Sequence, residues 1–169
     1  MVDGINSDVP AIHARYPHNP VACYINGTFA WSPGQEHLFA RKIRVSVEPG
    51  QPTAAQQARA LDVERFDATP ADVAPFLAAR KVAGHTDATF YTSLGAVPSI
   101  PVEIRAQVPR WWLAWYWGRP GAPTVTQVLG ELHRLTGVQL EPARVWACQY
   151  ASHAQWDLSV VYGPPDFSR

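Results

Sequence analysis

An aspartate and a glutamate two positions apart stand at the end of an apolar run, in Leu61-Asp62-Val63-Glu64-Arg65-Phe66-Asp67. Residues i and i+2 of a strand point to the same side, so Asp62 and Glu64 are expected to project together. At the carboxyl end of a parallel strand they would stand where α/β barrels build their sites. Two close carboxyl groups repel, which raises the pKa of one and leaves it a proton to donate. Cleavage of a glycosidic bond divides its labour in this way: one acid protonates the leaving oxygen and another carboxylate supports the cationic carbon or activates the nucleophile. The same spacing has a plainer reading. Acids after a strand also cap the next helix or pair with a cation, and Arg65 is adjacent.

The elements that must position these acids are short. Apolar runs predict strands near 21–25, 42–47, 60–64, 88–92, 111–116, 145–150 and 158–162, the first two closed by Asn26-Gly27 and Pro49-Gly50. Two helices are well signalled. Thr69-Pro70-Ala71-Asp72 supplies an N-cap, a first-turn proline and an acid ahead of Val73, Phe76, Leu77 and Arg80, with Gly84 as the stop. Thr124-Val125-Thr126-Gln127 is a capping-box pattern before Val128, Leu129, Leu132 and Leu135, ended by Gly137. Shorter helical turns are expected near 53–59 and 101–106. Strands separated by helix-length segments imply βα units and a largely parallel sheet. The expected fold is therefore α/β, a single domain over residues 1–169, built as a small, distorted TIM-like (β/α) barrel with reduced helices. An open doubly wound sheet is the alternative.

Composition narrows the function classes. The 169 residues are 47% hydrophobic and 17% charged, a globular balance. Lys plus Arg equals Asp plus Glu, 14 against 14, so there is no electrostatic footprint for nucleic acid. No run reaches the roughly 18 apolar residues of a membrane span. The opening MVDGINSDVP lacks the basic and apolar regions of a secretory signal. Cys23 and Cys148 lie in separate apolar runs and read as buried free thiols, although sequence leaves a single bridge open. Six scattered histidines give no metal-ligand spacing, and there is no glycine-rich phosphate loop, so no cofactor or metal is expected. The chain has seven Trp, six Tyr and six Phe, and several cluster, as in Arg110–Trp117. They supply either a core of large rings or a cleft for flat apolar faces such as those of sugars.

Several segments, in order, resemble glycoside hydrolase family 25, the muramidases, and related glycoside-hydrolase-like barrels of actinobacteria and their phages. Gly4-Ile5-Asn6-Ser7 is similar to the family's first-strand Gly-Ile-Asp-x-Ser. Asp62-Val63-Glu64 is similar to its Asp-x-Glu, and Phe90-Tyr91-Thr92-Ser93 to its fifth-strand tyrosine segment. Trp112-Leu113-Ala114-Trp115-Tyr116 resembles Trp-x-Ala-x-Tyr. Trp146-Ala147-Cys148-Gln149-Tyr150 and Trp156-Asp157-Leu158-Ser159 resemble the closing Trp-x-Gln-Tyr and Asp-Leu-Asn. Asn6 replaces the family's aspartate, with Asp3 and Asp8 flanking it out of register, and the Trp-to-Gln spacing is one residue longer than the family's.

The resemblance implies a muramidase-type enzyme that cleaves the β-1,4 glycan of bacterial peptidoglycan. Glu64 would be the general acid, Asp62 the assisting carboxylate and Asp157 a further acid. Asn6, Tyr91, Trp115, Tyr116 and Trp146 would line the substrate cleft, although strand alternation prevents Trp115 and Tyr116 from both pointing inward. The alternative is a non-catalytic glycan-binding or structural barrel module of a bacteriophage particle. Implied partners are peptidoglycan glycan or a similar polysaccharide and other virion proteins. Without a signal peptide, delivery to the cell wall would come from the virion or from lysis.

Overall fold

The computed structural model describes residues 1–48 and 56–163. Eight strands close into one barrel in sequence order: β1 Val2–Asp3, β2 Val21–Tyr24, β3 Lys42–Ser46, β4 Ala60–Asp62, β5 Thr89–Ser93, β6 Arg110–Ala114, β7 Val145–Ser152 and β8 Asp157–Val161. Pairing is parallel from β1 through β7. It is antiparallel where β8 meets β7 and β1.

The expected TIM-like (β/α) barrel is corrected by this arrangement. The chain is a closed, mixed eight-stranded β-barrel with short helices, mostly strands and loops. The physical reason lies in the connections. Parallel neighbours need a crossover, whereas antiparallel neighbours can be joined by a hairpin. β8 follows β7 through residues 153–156, with the His153 N–H donating to the Trp156 carbonyl, and needs no helix. Among the described residues, the other crossovers hold only short helices and are otherwise loop. Helix α1 spans Val9–Arg15 and α2 only Pro33–Glu36. α3 is Val73–Val82, α4 Val102–Gln107 and α5 Val125–Thr136. Several of the prolines stand at helix starts rather than inside them, as at Pro10, Pro33 and Pro70, so the helices that do form are short.

The two signalled helices form for the reasons their sequences give. Thr124 accepts from the Gln127 N–H while Gln127 reaches back to the Thr124 N–H, and Gly137 closes α5 in the left-handed region at φ +69°. Val128 and Leu132 are buried beneath it, whereas Leu135 is exposed. α3 buries Val73, Phe76 and Arg80 and stops at Gly84, φ +80°. The turn expected near 101–106 is α4, and the one near 53–59 falls partly outside the described residues.

Alternation sorts side chains into two layers. Leu61, Val63, Phe90, Trp111, Leu113 and Cys148 face outward and pack with Phe76, Val128 and Leu132. Ala22, Ile43, Val45, Ala60, Tyr91, Trp112, Ala114, Trp146 and Ala147 form a separate inner cluster. The four alanines leave room for the three large rings, a small-against-large fit that fills narrow barrels. Cys23 and Cys148 are both buried and free, one in each of two different outer clusters.

Candidate active site

The strand ends determine where acids collect. β4 stops at Asp62, which pairs with Tyr91 of β5. The chain then turns tightly, with Ala68 N–H donating to the Asp62 carbonyl at 3.1 Å and Asp67 N–H to that of Glu64 at 3.2 Å. This turn returns Asp67 toward the same end as Asp62 and Glu64. The Ser93 backbone N–H holds the Glu64 carboxylate. Val63, between the two acids, faces the outer core. Asp62 and Glu64 therefore share the inward side, as their spacing predicts.

β8 runs antiparallel, so its first residue, Asp157, lies at the rim formed by the carboxyl ends of the parallel strands. It sits directly opposite Asp3, the last residue of β1. Facing residues of an antiparallel pair project from the same side with Cα atoms about 4.5–5.5 Å apart. This juxtaposes two carboxyl groups, an arrangement that costs stability when both are charged. Asp3 was outside the sequence-based register because β1 is only two residues long and shows no periodicity. Its visible signal was the order apolar, Asp, Gly at Val2-Asp3-Gly4.

Burial grades these acids. Asp62 is 3% exposed and Asp3 5%, whereas Glu64, Asp67 and Asp157 are half-buried. Desolvation pushes Asp62 up to about 8, with the charges of Glu64 and Asp67 adding to the shift and the Tyr24 hydroxyl, 3.3 Å from its Oδ2, opposing it. Desolvation also pushes Asp3 up to about 8, reinforced by Asp157. Glu64 is raised by desolvation against the opposing Ser93 N–H. Asp157 is raised by desolvation, with the Ser152 hydroxyl and His153 pulling it down. One carboxylate oxygen each of Asp3, Asp62 and Asp157 is buried without a hydrogen-bond partner, a costly state that a proton relieves. No ion pair found among the described residues involves these acids. Arg65, the neighbour suited to neutralising them, lies 4.7 Å over the Phe66 ring.

Aromatic and amide groups complete the rim. Tyr91 is buried against Trp112, rings 4.8 Å apart, and its hydroxyl feels Glu64, Asp3 and Asp62, which raise its pKa together with burial. Tyr116 is 53% exposed. Its hydroxyl accepts from the Nε2 of buried Gln149, and its pKa is pushed up to about 12 by burial of that hydroxyl and by Asp157. Of the pair that alternation forbade from pointing inward together, the structure turns Tyr116 toward the acids. Trp115 packs on the outer core beside Trp117, rings 5.6 Å apart. Trp146 stands at the start of β7, away from Gln149, 3% exposed and bonded through its backbone to Tyr162 and Gly163. Asn6 lies in an exposed 3-10 turn (Asn6–Asp8) beyond β1, its carbonyl held by Gln35. Asp8 caps that turn by accepting from the Ile5 N–H. Tyr24, Gln149 and Asp3 are the site residues that sequence reasoning missed. Asp3 and Tyr24 end their strands and Gln149 lies within β7, and only the closed barrel makes them neighbours.

No group of three or more His, Cys, Asp or Glu among the described residues has the geometry to hold a metal ion. Comparison with known protein families, curated proteins and solved structures finds no match. No helix among the described residues is long and apolar enough to cross a membrane.

Proposed function

We propose that the chain is a glycosidase of the muramidase type that cleaves the β-1,4 glycan of peptidoglycan. The observation that carries this reading is the convergence of Asp3, Asp62, Glu64 and Asp157 on one barrel end, all with raised pKa and without a neutralising ion pair. The order of motifs resembling family 25 supports it as well.

In this reading Glu64 is the general acid. It is reachable, desolvation lets it keep a proton, and the Ser93 N–H fixes its direction. Asp157, half-buried on the other side of the barrel mouth and held by Ser152, is the carboxylate that faces the developing cation. Asp62 is nearly sealed and keeps its proton through neutral pH, so it accepts from the Tyr24 hydroxyl and shapes the field at Glu64. Tyr116 and Gln149 supply hydroxyl and amide groups for sugar hydroxyls.

The test is release of reducing ends from purified actinobacterial peptidoglycan. Glu64→Gln keeps the shape but has no acidic proton, so turnover should fall by roughly 10²–10⁴-fold while the fold survives. A wild type without turnover on any wall, or a Glu64→Gln variant as active as wild type, refutes the assignment. The burial of Asp62 and Asp3 favours a second reading, a glycan-binding or structural module of a phage particle. Glycan binding without turnover would decide for it.

A further inference from the structure

Phe66 combines two costs that burial does not offset. Its φ is +78°, the sole non-glycine residue in the left-handed region among the described residues. A bulky side chain there is a genuine outlier, and such strain collects at functional sites. The ring is also 90% exposed, so burial returns nothing for the strain. Its position is two residues beyond Glu64, in the turn closed by Ala68 N–H on the Asp62 carbonyl.

A cavity of about 270 Å³ lies against this ring, bounded across from it by Phe29 of the loop after β2. Phe29 is 38% exposed, and its ring centroid is 6.0 Å from that of Tyr24, whose hydroxyl meets Asp62. The Phe29 loop is held firmly. Asn26 donates to Ser46 Oγ and the Glu48 carbonyl and accepts from Val47 N–H, and Gly27 takes φ +75° with no room for a Cβ beside Val47. Thr28, Glu48 and Asp67 add oxygen groups to the cavity, and Arg65 a guanidinium. A second hollow of about 350 Å³ lies along Phe66 toward Glu64. Both are near the lower end of small-molecule site volumes, roughly 300–1,000 Å³.

We propose that Phe66 and Phe29 form a sugar subsite next to the acids, holding one pyranose ring of a β-1,4 glycan so that the neighbouring ring reaches Glu64. The subsite rests on the glycosidase reading. Its chemistry fits a neutral saccharide. Aromatic faces accept the apolar C–H face of a sugar, and the Glu48 and Asp67 carboxylates accept from its hydroxyls. Arg65 covers one face of Phe66, which leaves the other for the ligand. The strained backbone keeps the ring out of the core before any ligand arrives, and such preorganisation lowers the entropy lost on binding.

The probe is peptidoglycan glycan strands stripped of stem peptides, titrated by calorimetry into protein carrying Glu64→Gln so that nothing is hydrolysed. Adding Phe66→Gly, which relieves the positive φ, should weaken binding at least about tenfold while the melting temperature holds or rises. Adding Phe66→Trp instead should keep binding within about threefold. If the parent binds and Phe66→Gly binds equally well, the subsite is refuted and the glycosidase reading stands. A lower melting temperature for Phe66→Gly would make Phe66 a packing residue and also refute it. A parent that binds no glycan overturns both.

Discussion

Replacing Asp62 by asparagine should stabilise the protein at neutral pH and flatten its dependence on pH. In the folded chain Asp62 is 3% exposed, and desolvation pushes its pKa up to about 8 from an ordinary value of 3.8. A carboxyl group raised on folding binds more protons in the native state than in the unfolded state. Stability therefore falls as pH rises above the unfolded pKa, and the loss is complete once pH passes the folded pKa. Each unit of difference corresponds to about 1.4 kcal/mol, so at pH 7 the one-site cost is about 4 kcal/mol. Asparagine cannot ionise in the unfolded chain and so removes this cost. It retains an oxygen for the Tyr24 hydroxyl. Urea denaturation of both proteins at pH 5, 6, 7 and 8 measures the effect. The variant should gain up to about 4 kcal/mol at pH 7, and its slope of stability against pH should be shallower by about 1.4 kcal/mol per unit. Asp3 is pushed up to a similar value, so a residual downward slope should persist in the variant. Identical slopes in the two proteins would show that Asp62 is ionised in the native state, and the account of a protonated acid beside Glu64 would fail.

Tyr24→Phe removes the hydroxyl that favours the ionised form of Asp62. The Asp62 carboxyl, followed by carbon NMR, should titrate at a higher pH in this variant, and an unmoved midpoint would exclude the contact. Thr124→Ala breaks the reciprocal cap of α5 and should cost about 1 kcal/mol in chemical denaturation. A variant as stable as wild type would show that the cap contributes nothing to the fold.

The sequence by itself determined the local features whose causes are local. The Thr124–Gln127 capping box and Gly137 set the ends of α5, and Thr69-Pro70 set the approach to α3, because caps act over three or four residues. The strand cores at Ile43, Leu61, Phe90, Trp111 and Val160 followed from apolar runs. The shared side of Asp62 and Glu64 followed from the period of a strand. Only the tertiary structure decided the rest. The direction of β8 rests on closure against β1, and with it came the antiparallel pairings that separate this mixed barrel from a (β/α) barrel. The same closure sets Asp3 against Asp157, residues separated by nearly the whole chain, while the parallel pairing of β6 with β7 aligns Gln149 with Tyr116. It turns Tyr116 toward the acids and leaves Trp115 outside. Trp146 is buried at the start of β7 as the extra residue between Val145 and Ala147, which pair with Trp111 and Trp112, and no local pattern encodes that shift. The left-handed backbone at Phe66 was equally hidden, since a phenylalanine announces no turn; only the surrounding loop, closed on the Asp62 carbonyl, holds it there.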